Sequence, residues 1–246
     1  MKVGIIVQAR MTSTRLPGKV LLPVLRKPLL EYQIERLQRV STSNEIIIAT
    51  TVNEADQPIV DLCQRLGVKA FRGSEKDVLS RYFGAAQANE LDIVVRVTSD
   101  CPLIDPTVID NVIHRYQADS DNCDYVSNTL ERTFPRGMDT EVFPFELLEK
   151  VHLEARQPHE REHVTPYIYQ NPQRFRLLNL AYILDESRHR WTVDTLEDFE
   201  LIRRILVELY PLNQAFGIED VLALMDVHPK WFELNSAIEQ KKLPKY

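Results

Sequence analysis

The sequence predicts an α/β fold, a mostly parallel central sheet flanked by helices. Two observations predict it. Short, nearly continuous apolar runs recur through the first half of the chain, and amphipathic stretches of helical period lie between them. A run without apolar–polar alternation is buried on both faces, as strands in a helix-covered parallel sheet are. The regular alternation of such runs with helices points to parallel order.

The elements follow in sequence. Val3–Gln8 is the first strand, and 45–50, 68–71 and Ile93–Thr98 are the next three. The first helix, 28–40, carries Leu30, Ile34 and Leu37 on one face. Pro28 suits its first turn, where an N–H has no intrahelical partner to lose. Helices at 55–66, 75–89 and 106–117 complete the alternation. The second half is less regular. Strands are predicted at 140–143, 175–182 and 190–193, and helices at Phe145–Glu154 and 160–170. Thr195 is placed to cap a helix, with Asp198 three residues on as a weak capping box before Phe199, Ile202, Ile205 and Leu206. Stretches 217–225 and 231–240 close the fold as helices. No repeat, low-complexity tract or linker interrupts the chain. One domain over 1–246 is expected, with a helix-rich C-terminal segment from about residue 195.

The chain has 246 residues, 36 acidic and 30 basic, for a formal net charge of −6. Such a chain is a poor generic binder of nucleic acid or anionic lipid, so any polyanion must be held locally. No run approaches the roughly 20 apolar residues that span a bilayer. The apolar run after Met1 and Lys2 is too short for a signal peptide. The three cysteines, Cys63, Cys101 and Cys123, include no CxxC pair, which argues against a disulfide framework or structural zinc. A soluble cytoplasmic protein is expected, with no nucleic-acid or membrane partner.

Against this acidic background, "QARMTSTRLPGKVL" gathers Arg10, Arg15 and Lys19 where the first strand ends. Ligands of an open parallel sheet bind outside the carboxyl ends of its strands. The loop is neither GxxxxGK[ST] nor GxGxxG, since Gly18 is its only glycine. It offers cationic side chains and the hydroxyls of Thr12, Ser13 and Thr14 instead. Arg presents a planar fork that matches phosphate oxygens, and Lys a mobile point charge. Together they offset most of a triphosphate's charge of about −4, with a divalent ion covering more. A solvated basic loop is the alternative, and the strand-exit position beside three hydroxyls argues against it.

"VQARMTSTRLPGKVL" resembles the N-terminal motif of the cytidylyltransferases that activate sugars and sugar acids as CMP derivatives, the CMP-Kdo and acylneuraminate cytidylyltransferase superfamily. More closely it resembles the SpsF-type branch, named for spore coat polysaccharide biosynthesis. The likeness extends in order to "RVTSDCPLIDP", "YVSNTLERTFPRGMDTEVF", "EREHVTPYIY" and "RWTVDTLEDFELI". The resemblance implies a nucleotide-diphospho-sugar transferase fold of Rossmann-like type, CTP as substrate and Mg²⁺ as cofactor. It also implies a small sugar-like acceptor and a homodimer built through the helix-rich C-terminal segment.

Nucleotidyl transfer needs an acceptor oxygen in line with the α-phosphorus, with pyrophosphate leaving. Mg²⁺ takes one or two carboxylates plus phosphates and water. Asp100 follows one predicted strand and Asp194 another, and the two could converge on one ion. By resemblance they are the metal-binding aspartates, and Arg15, Lys19, Asp100 and Asp194 form the catalytic set. Turn capping is the alternative for either aspartate. Thr98 and Arg96 share the parity of Asp100. Thr98 joins the nucleotide-binding set with Ala9, Arg10, Ser13, Arg15, Lys19, Arg72 and Asp100. Arg96 is either a structural ion pair or a support beneath the site. Cys101 has no base beside it and reads as a buried packer.

By the same resemblance, Arg72 reaches the pyrimidine and the backbone of Ala9 and Arg10 reads the exocyclic amine, with an exposed turn residue as the alternative for Arg72. Arg136, Asp139 and Glu141 are candidates for the acceptor, and Arg161, Glu162 and His163 join them. A guanidinium at Arg136 suits a carboxylate or phosphate. A solvated turn with a local ion pair is the alternative for the first three, and a hydrogen-bonded structural role for His163. Two other functions compete. A nucleotide-sugar-dependent glycosyltransferase would want a D-x-D pair where the chain reads Ser99-Asp100-Cys101, and a non-catalytic nucleotide-binding descendant would be expected to lack one of Arg15, Lys19, Asp100 or Asp194.

Overall fold

A computed structural model describes residues 1–239. Its strands are β1 (Val3–Gln8), β2 (Pro23–Val24), β3 (Lys27–Pro28), β4 (Glu45–Thr51), β5 (Lys69–Gly73), β6 (Ile93–Thr98), β7 (Tyr125–Ser127), β8 (Glu141–Pro144) and β9 (Leu177–Asn179). Seven of them form one sheet in the order β5-β4-β1-β6-β8-β7-β9, while β2 and β3 pair as a separate short ribbon. β1 runs parallel to β4 and β6, and β4 parallel to β5. β8 is antiparallel to both β6 and β7. The helices are α1 (Leu29–Leu37), α2 (Gln57–Leu66), α3 (Val78–Ala88), α4 (Pro106–Asp119), α5 (Phe145–Glu154), α6 (Pro158–His163), α7 (Pro166–Tyr169), α8 (Leu196–Leu209) and α9 (Ile218–Val227).

The apolar runs are continuous because the sheet is covered on both faces. Ile5 and Val7 of β1, with Val95 and Val97 of β6, pack against α1, α2 and α4 through Leu30, Ile34, Ile59 and Ile113. The opposite parity, Ile6 and Val94, packs against α3 and α5 through Leu79, Tyr82, Leu148 and Val151. Arg96 has this second parity, and the β6–β8 register sets it opposite Glu141. A third apolar cluster joins Trp191, Met138 and Phe134 to the inner faces of α8 and α9. It ties the C-terminal helices to the segments that edge the carboxyl end of the sheet.

The first half follows the sequence expectation closely, with β5 extending to Gly73 and α3 starting at Val78. The second half departs in five places. The predicted helix 160–170 breaks into α6 and α7 at Val164, whose φ is 73°. Pro166 causes the break: it has no N–H to donate to the carbonyl four residues back, and its ring clashes with that turn. No strand forms at 190–193. Only an isolated bridge between Arg136 and Arg190 is found there. β9 is shorter than the predicted 175–182, and the three-residue β7 was not predicted. The last predicted helix, 231–240, is replaced by a 3-10 turn at Pro229–Leu234, and its end lies outside the described residues. The capping box does form. Thr195 Oγ1 accepts from the Asp198 N–H at 3.3 Å, and Asp198 Oδ2 accepts from the Thr195 N–H at 3.2 Å.

Candidate functional site

β1 and β6 end side by side, with Gln8 in register with Thr98. Beyond their carboxyl ends lies a cleft of about 700 Å³. One wall is the loop after β1, which several bonds hold in place. The Gly18 N–H donates to Met11 O at 2.8 Å, closing the loop, and Gly18 turns the chain at φ 72°. The Met11 N–H donates to Asp56 at 2.7 Å, and Thr12 Oγ1 donates to Glu75 at 2.6 Å. Val20, fully buried, anchors the 3-10 turn Lys19–Leu21. This fixed backbone sends Arg10, Arg15 and Lys19 into the cleft.

All three loop cations meet carboxylates. Lys19 Nζ lies 2.7 Å from Asp194 Oδ1 and 3.2 Å from Asp100 Oδ2. Arg15 reaches Asp194 Oδ2 at 2.8 Å, and Arg10 lies 3.5 Å from Glu75. Asp100 and Asp194 are brought together by the segment before α8. Backbone O of Asp100 accepts from the Val193 N–H at 2.8 Å and from Thr192 Oγ1 at 3.2 Å. Thr98 Oγ1 donates to Asp100 Oδ1 at 2.6 Å. Burial alone would raise the Asp100 carboxyl, but the Lys19 ammonium and the Thr98 hydroxyl hold it below the usual carboxylate range. Burial likewise works against the Lys19 charge, yet the two aspartates hold the ammonium above the usual lysine value.

Behind Asp194 lies a support that the sequence reading missed. Arg190 donates from Nη2 to Asp194 Oδ2 at 2.8 Å and from Nε to Asp198 at 2.9 Å. Asp198 is fully buried and also accepts from the Asp194 N–H at 2.9 Å and from Asn235 Nδ2 at 2.9 Å. The signal was present in "RWTVDTLEDF", but a helix cap accounted for Asp198 and hid its second role. Arg81 was also missed. It is 2% exposed and lines the cleft, with Nη1 donating to Ser74 O at 2.6 Å and Nε without a hydrogen-bond partner among the described residues.

The facing wall carries Arg136, Gly137, Asp139, Arg161, Glu162 and His163. Asp139 is held by a two-pronged pair with Arg132 at 2.6 and 2.7 Å. Arg161 is committed to Asp77 at 2.5 Å and to His152 O at 2.8 Å. Arg136 makes no hydrogen bond or ion pair with its side chain among the described residues. Burial and the neighbouring Arg132 push its guanidinium below the usual value. The Arg136 backbone is fixed by bonds to His189 and Trp191 at 3.0 and 2.7 Å. A Cβ on Gly137, where φ is 107°, would lie 2.5 Å from Trp191 O, so only glycine fits this close approach.

Two predicted site residues lie elsewhere. Glu141 is buried beneath the cleft, paired with Arg96 and accepting from Tyr125 Oη at 2.7 Å and Thr165 Oγ1 at 2.9 Å. A strand residue opposite a buried arginine is drawn to it, so Glu141 neutralises Arg96 rather than facing a ligand. Arg96 forms the structural ion pair and also lines the cleft floor. Arg72 does not line the cleft. Its guanidinium donates to Thr51 O at 2.9 Å, Asn53 O at 2.8 Å and Gln57 Oε1 at 2.9 Å, which fastens β5 to the end of β4. Cys101 is buried, and burial with the nearby Asp100 charge pushes its thiol well above the usual value, as a packing role requires.

Asp100 Oδ2 and Asp194 Oδ1 surround one cation position, now filled by the Lys19 ammonium. Both donors are carboxylate oxygens, which fits Mg²⁺. Among the described residues no group of three or more His, Cys, Asp or Glu side chains could hold a metal. A two-carboxylate site leaves most of the coordination shell to phosphates and water, as Mg²⁺ prefers.

The mostly parallel sheet with a polar cleft at its carboxyl edge is of the nucleotide-diphospho-sugar transferase type, the fold it shares with solved cytidylyltransferases. A solved cytidylyltransferase structure from Leptospira borgpetersenii superposes with a TM-score of 0.92 at 37% identity, covering 98% of this chain and 100% of that one. The uncharacterized protein MJ1063 of Methanocaldococcus jannaschii is 39% identical over 98% of this chain and 97% of its own length. The spore coat polysaccharide biosynthesis protein SpsF of Bacillus subtilis is 33% identical over 81% of this chain and 84% of its own. The cytidylyltransferase family profile matches residues 4–240. The chain belongs to the cytidylyltransferase family and is thereby a nucleotidyltransferase. Among the described residues no helix is long and apolar enough to cross a membrane.

Proposed function

We propose that the chain is a Mg²⁺-dependent cytidylyltransferase that transfers CMP from CTP to a sugar or sugar-acid-like acceptor in the synthesis of a surface polysaccharide or glycan, in the cytoplasm. One observation carries the reading. Asp100 and Asp194, from distant parts of the sequence, converge on one cation position beside a loop rich in cations and hydroxyls. Family membership and the likeness to SpsF support CTP and a sugar-like acceptor.

Arg15 and Lys19 neutralise the triphosphate, while Ser13 orients it. The acceptor oxygen attacks the α-phosphorus. The new O–P bond forms as the bond to the bridging oxygen breaks, pyrophosphate leaves, and the acceptor proton passes to solvent. Asp100 and Asp194 would hold Mg²⁺, which supplies charge neutralisation on the phosphates when bound. Arg136 is a suitable anchor for an anionic group on the acceptor, because its backbone is fixed and its guanidinium has no carboxylate partner among the described residues.

Thermal shift with each of the four nucleoside triphosphates, with and without Mg²⁺, tests the reading. CTP with Mg²⁺ is expected to give the largest stabilisation, about 2.7 kcal/mol at a hundredfold excess over Kd. Lys19→Ala is expected to remove most of it. An equal response to UTP or GTP would refute the choice of base, and pyrophosphate release from CTP with candidate sugars identifies the acceptor.

A further inference from the structure

We propose that Lys19 is a displaceable counter-cation that keeps the Asp100–Asp194 pair closed to a divalent ion until a triphosphate draws it away. The inference rests on the cytidylyl-transfer reading and concerns the order in which its ligands enter.

The ammonium of Lys19 occupies the position between the two carboxylates, 2.7 Å from one and 3.2 Å from the other. Its side chain is 11% exposed. A divalent ion held by the same two oxygens cannot share that space with an ammonium. Charge also opposes it. Lys19, Arg15 and Arg190 already face Asp100, Asp194 and Asp198, three cations against three carboxylates. A divalent ion added alone would leave this half-buried cluster with uncompensated positive charge, which partial removal from water penalises. A triphosphate added with the ion removes that excess.

The carboxylates are not the parts that move. Asp194 is gripped by Arg190 and by the Asp194 N–H bond to Asp198, and Asp100 by Thr98 and the bonds to its backbone oxygen. Lys19 carries its charge on a flexible four-carbon stem from an anchored turn, so it can exchange carboxylate for phosphate without backbone motion. Ser13, Thr14 and Arg15 line the cleft beside it and mark where phosphate oxygens would lie. The metal site therefore opens only when the nucleotide supplies a better partner for the lysine. Coupling of this kind is reciprocal: the nucleotide tightens metal binding by the same factor that metal tightens nucleotide binding.

Mn²⁺ serves as the probe, with binding to the full chain read by electron paramagnetic resonance and by thermal shift. Wild type is expected to bind Mn²⁺ at least tenfold more weakly alone than with CTP. Lys19→Met is expected to bind Mn²⁺ alone at least tenfold more tightly than wild type does. Without metal the variant melts lower than wild type, and Mn²⁺ alone restores it, whereas Mn²⁺ alone leaves wild type unmoved. Lys19→Gln keeps an N–H donor for the carboxylates without the charge, and it carries the same expectation if Lys19→Met does not fold. Equal Mn²⁺ affinity of wild type and both variants, measured without nucleotide, overturns the inference while leaving CTP-dependent metal binding, and so the wider reading, intact. Equal Mn²⁺ affinity of wild type with and without CTP overturns it as well. A wild-type protein that binds neither Mn²⁺ nor CTP in any combination overturns the wider reading and the inference with it.

Discussion

On the wall built by the loop after β1, each of Arg10, Arg15 and Lys19 faces a carboxylate, whereas on the opposite wall Arg136 faces none. The two arrangements suit different tasks. Paired cations sit in a neutral cluster and must exchange partners when a polyanion arrives, so part of the binding energy is used to break existing pairs. An unpaired guanidinium whose backbone is pinned needs no exchange. It suits a smaller anionic group whose position must be fixed before reaction. Charge counting along the sequence treats both walls as basic, and only the placement of the partners separates them.

The sharpest way to break this comparison is at the shared carboxylates. Asp194→Ala is expected to lower kcat by about 10³-fold, the scale of losing one preorganised electrostatic partner. Asp100→Ala is expected to match it. The check is steady-state pyrophosphate release at saturating CTP. A loss of less than tenfold in either variant would mean that the cluster around Lys19 is structural.

Beneath the cleft, Glu141 is expected to matter for stability rather than turnover. Glu141→Ala leaves Arg96 buried without its partner and should cost about 3 kcal/mol in urea unfolding. Glu141→Gln keeps groups for Tyr125 and Thr165 and should cost less. A large drop in kcat for Glu141→Gln with unchanged stability would return Glu141 to the ligand face.

Arg136→Met sharpens the other side of the comparison. The expected result is an acceptor KM raised by about tenfold to a hundredfold, the range of a charge-assisted hydrogen bond, with the KM for CTP unchanged. If the KM for CTP rises instead, both walls serve the nucleotide.

The extent to which these features could be read in advance follows from how local their causes are. β1, β4, β6 and the helices between them were legible because burial on both faces leaves a continuous apolar run in the sequence. The convergence of Asp100 with Asp194 was legible in outline, since each was placed after a predicted strand and the resemblance made the two a pair. The link that joins them was misread as a strand at 190–193, because its hydrogen bonds go to the Asp100 backbone rather than to a ladder. Arg190 and Asp198 were invisible as a pair, since an arginine and an aspartate eight positions apart carry no periodic signal. Arg81 was hidden inside a helix whose apolar face explained its neighbours. The helix break at Val164 was within reach, as Pro166, with no N–H to continue the helix, announces it.

Arg72 provides the smallest effect and the finest test. It follows a strand at the carboxyl edge of the sheet, where a resemblance-based reading sends it toward the base. Its guanidinium instead spends its donors on Thr51 O, Asn53 O and Gln57, away from the cleft. A guanidinium that already donates to two backbone carbonyls and the Gln57 side chain gains little by leaving them for a pyrimidine, since those acceptors would then lose their donors. Arg72→Ala is therefore expected to change the KM for CTP by no more than about twofold, within the effect of an exposed hydrogen-bonded side chain, and to cost about 1 kcal/mol of stability. A KM increase of tenfold or more, with relaxed preference for CTP over UTP, would show that Arg72 swings inward on binding and that the β4–β5 edge belongs to the nucleotide wall.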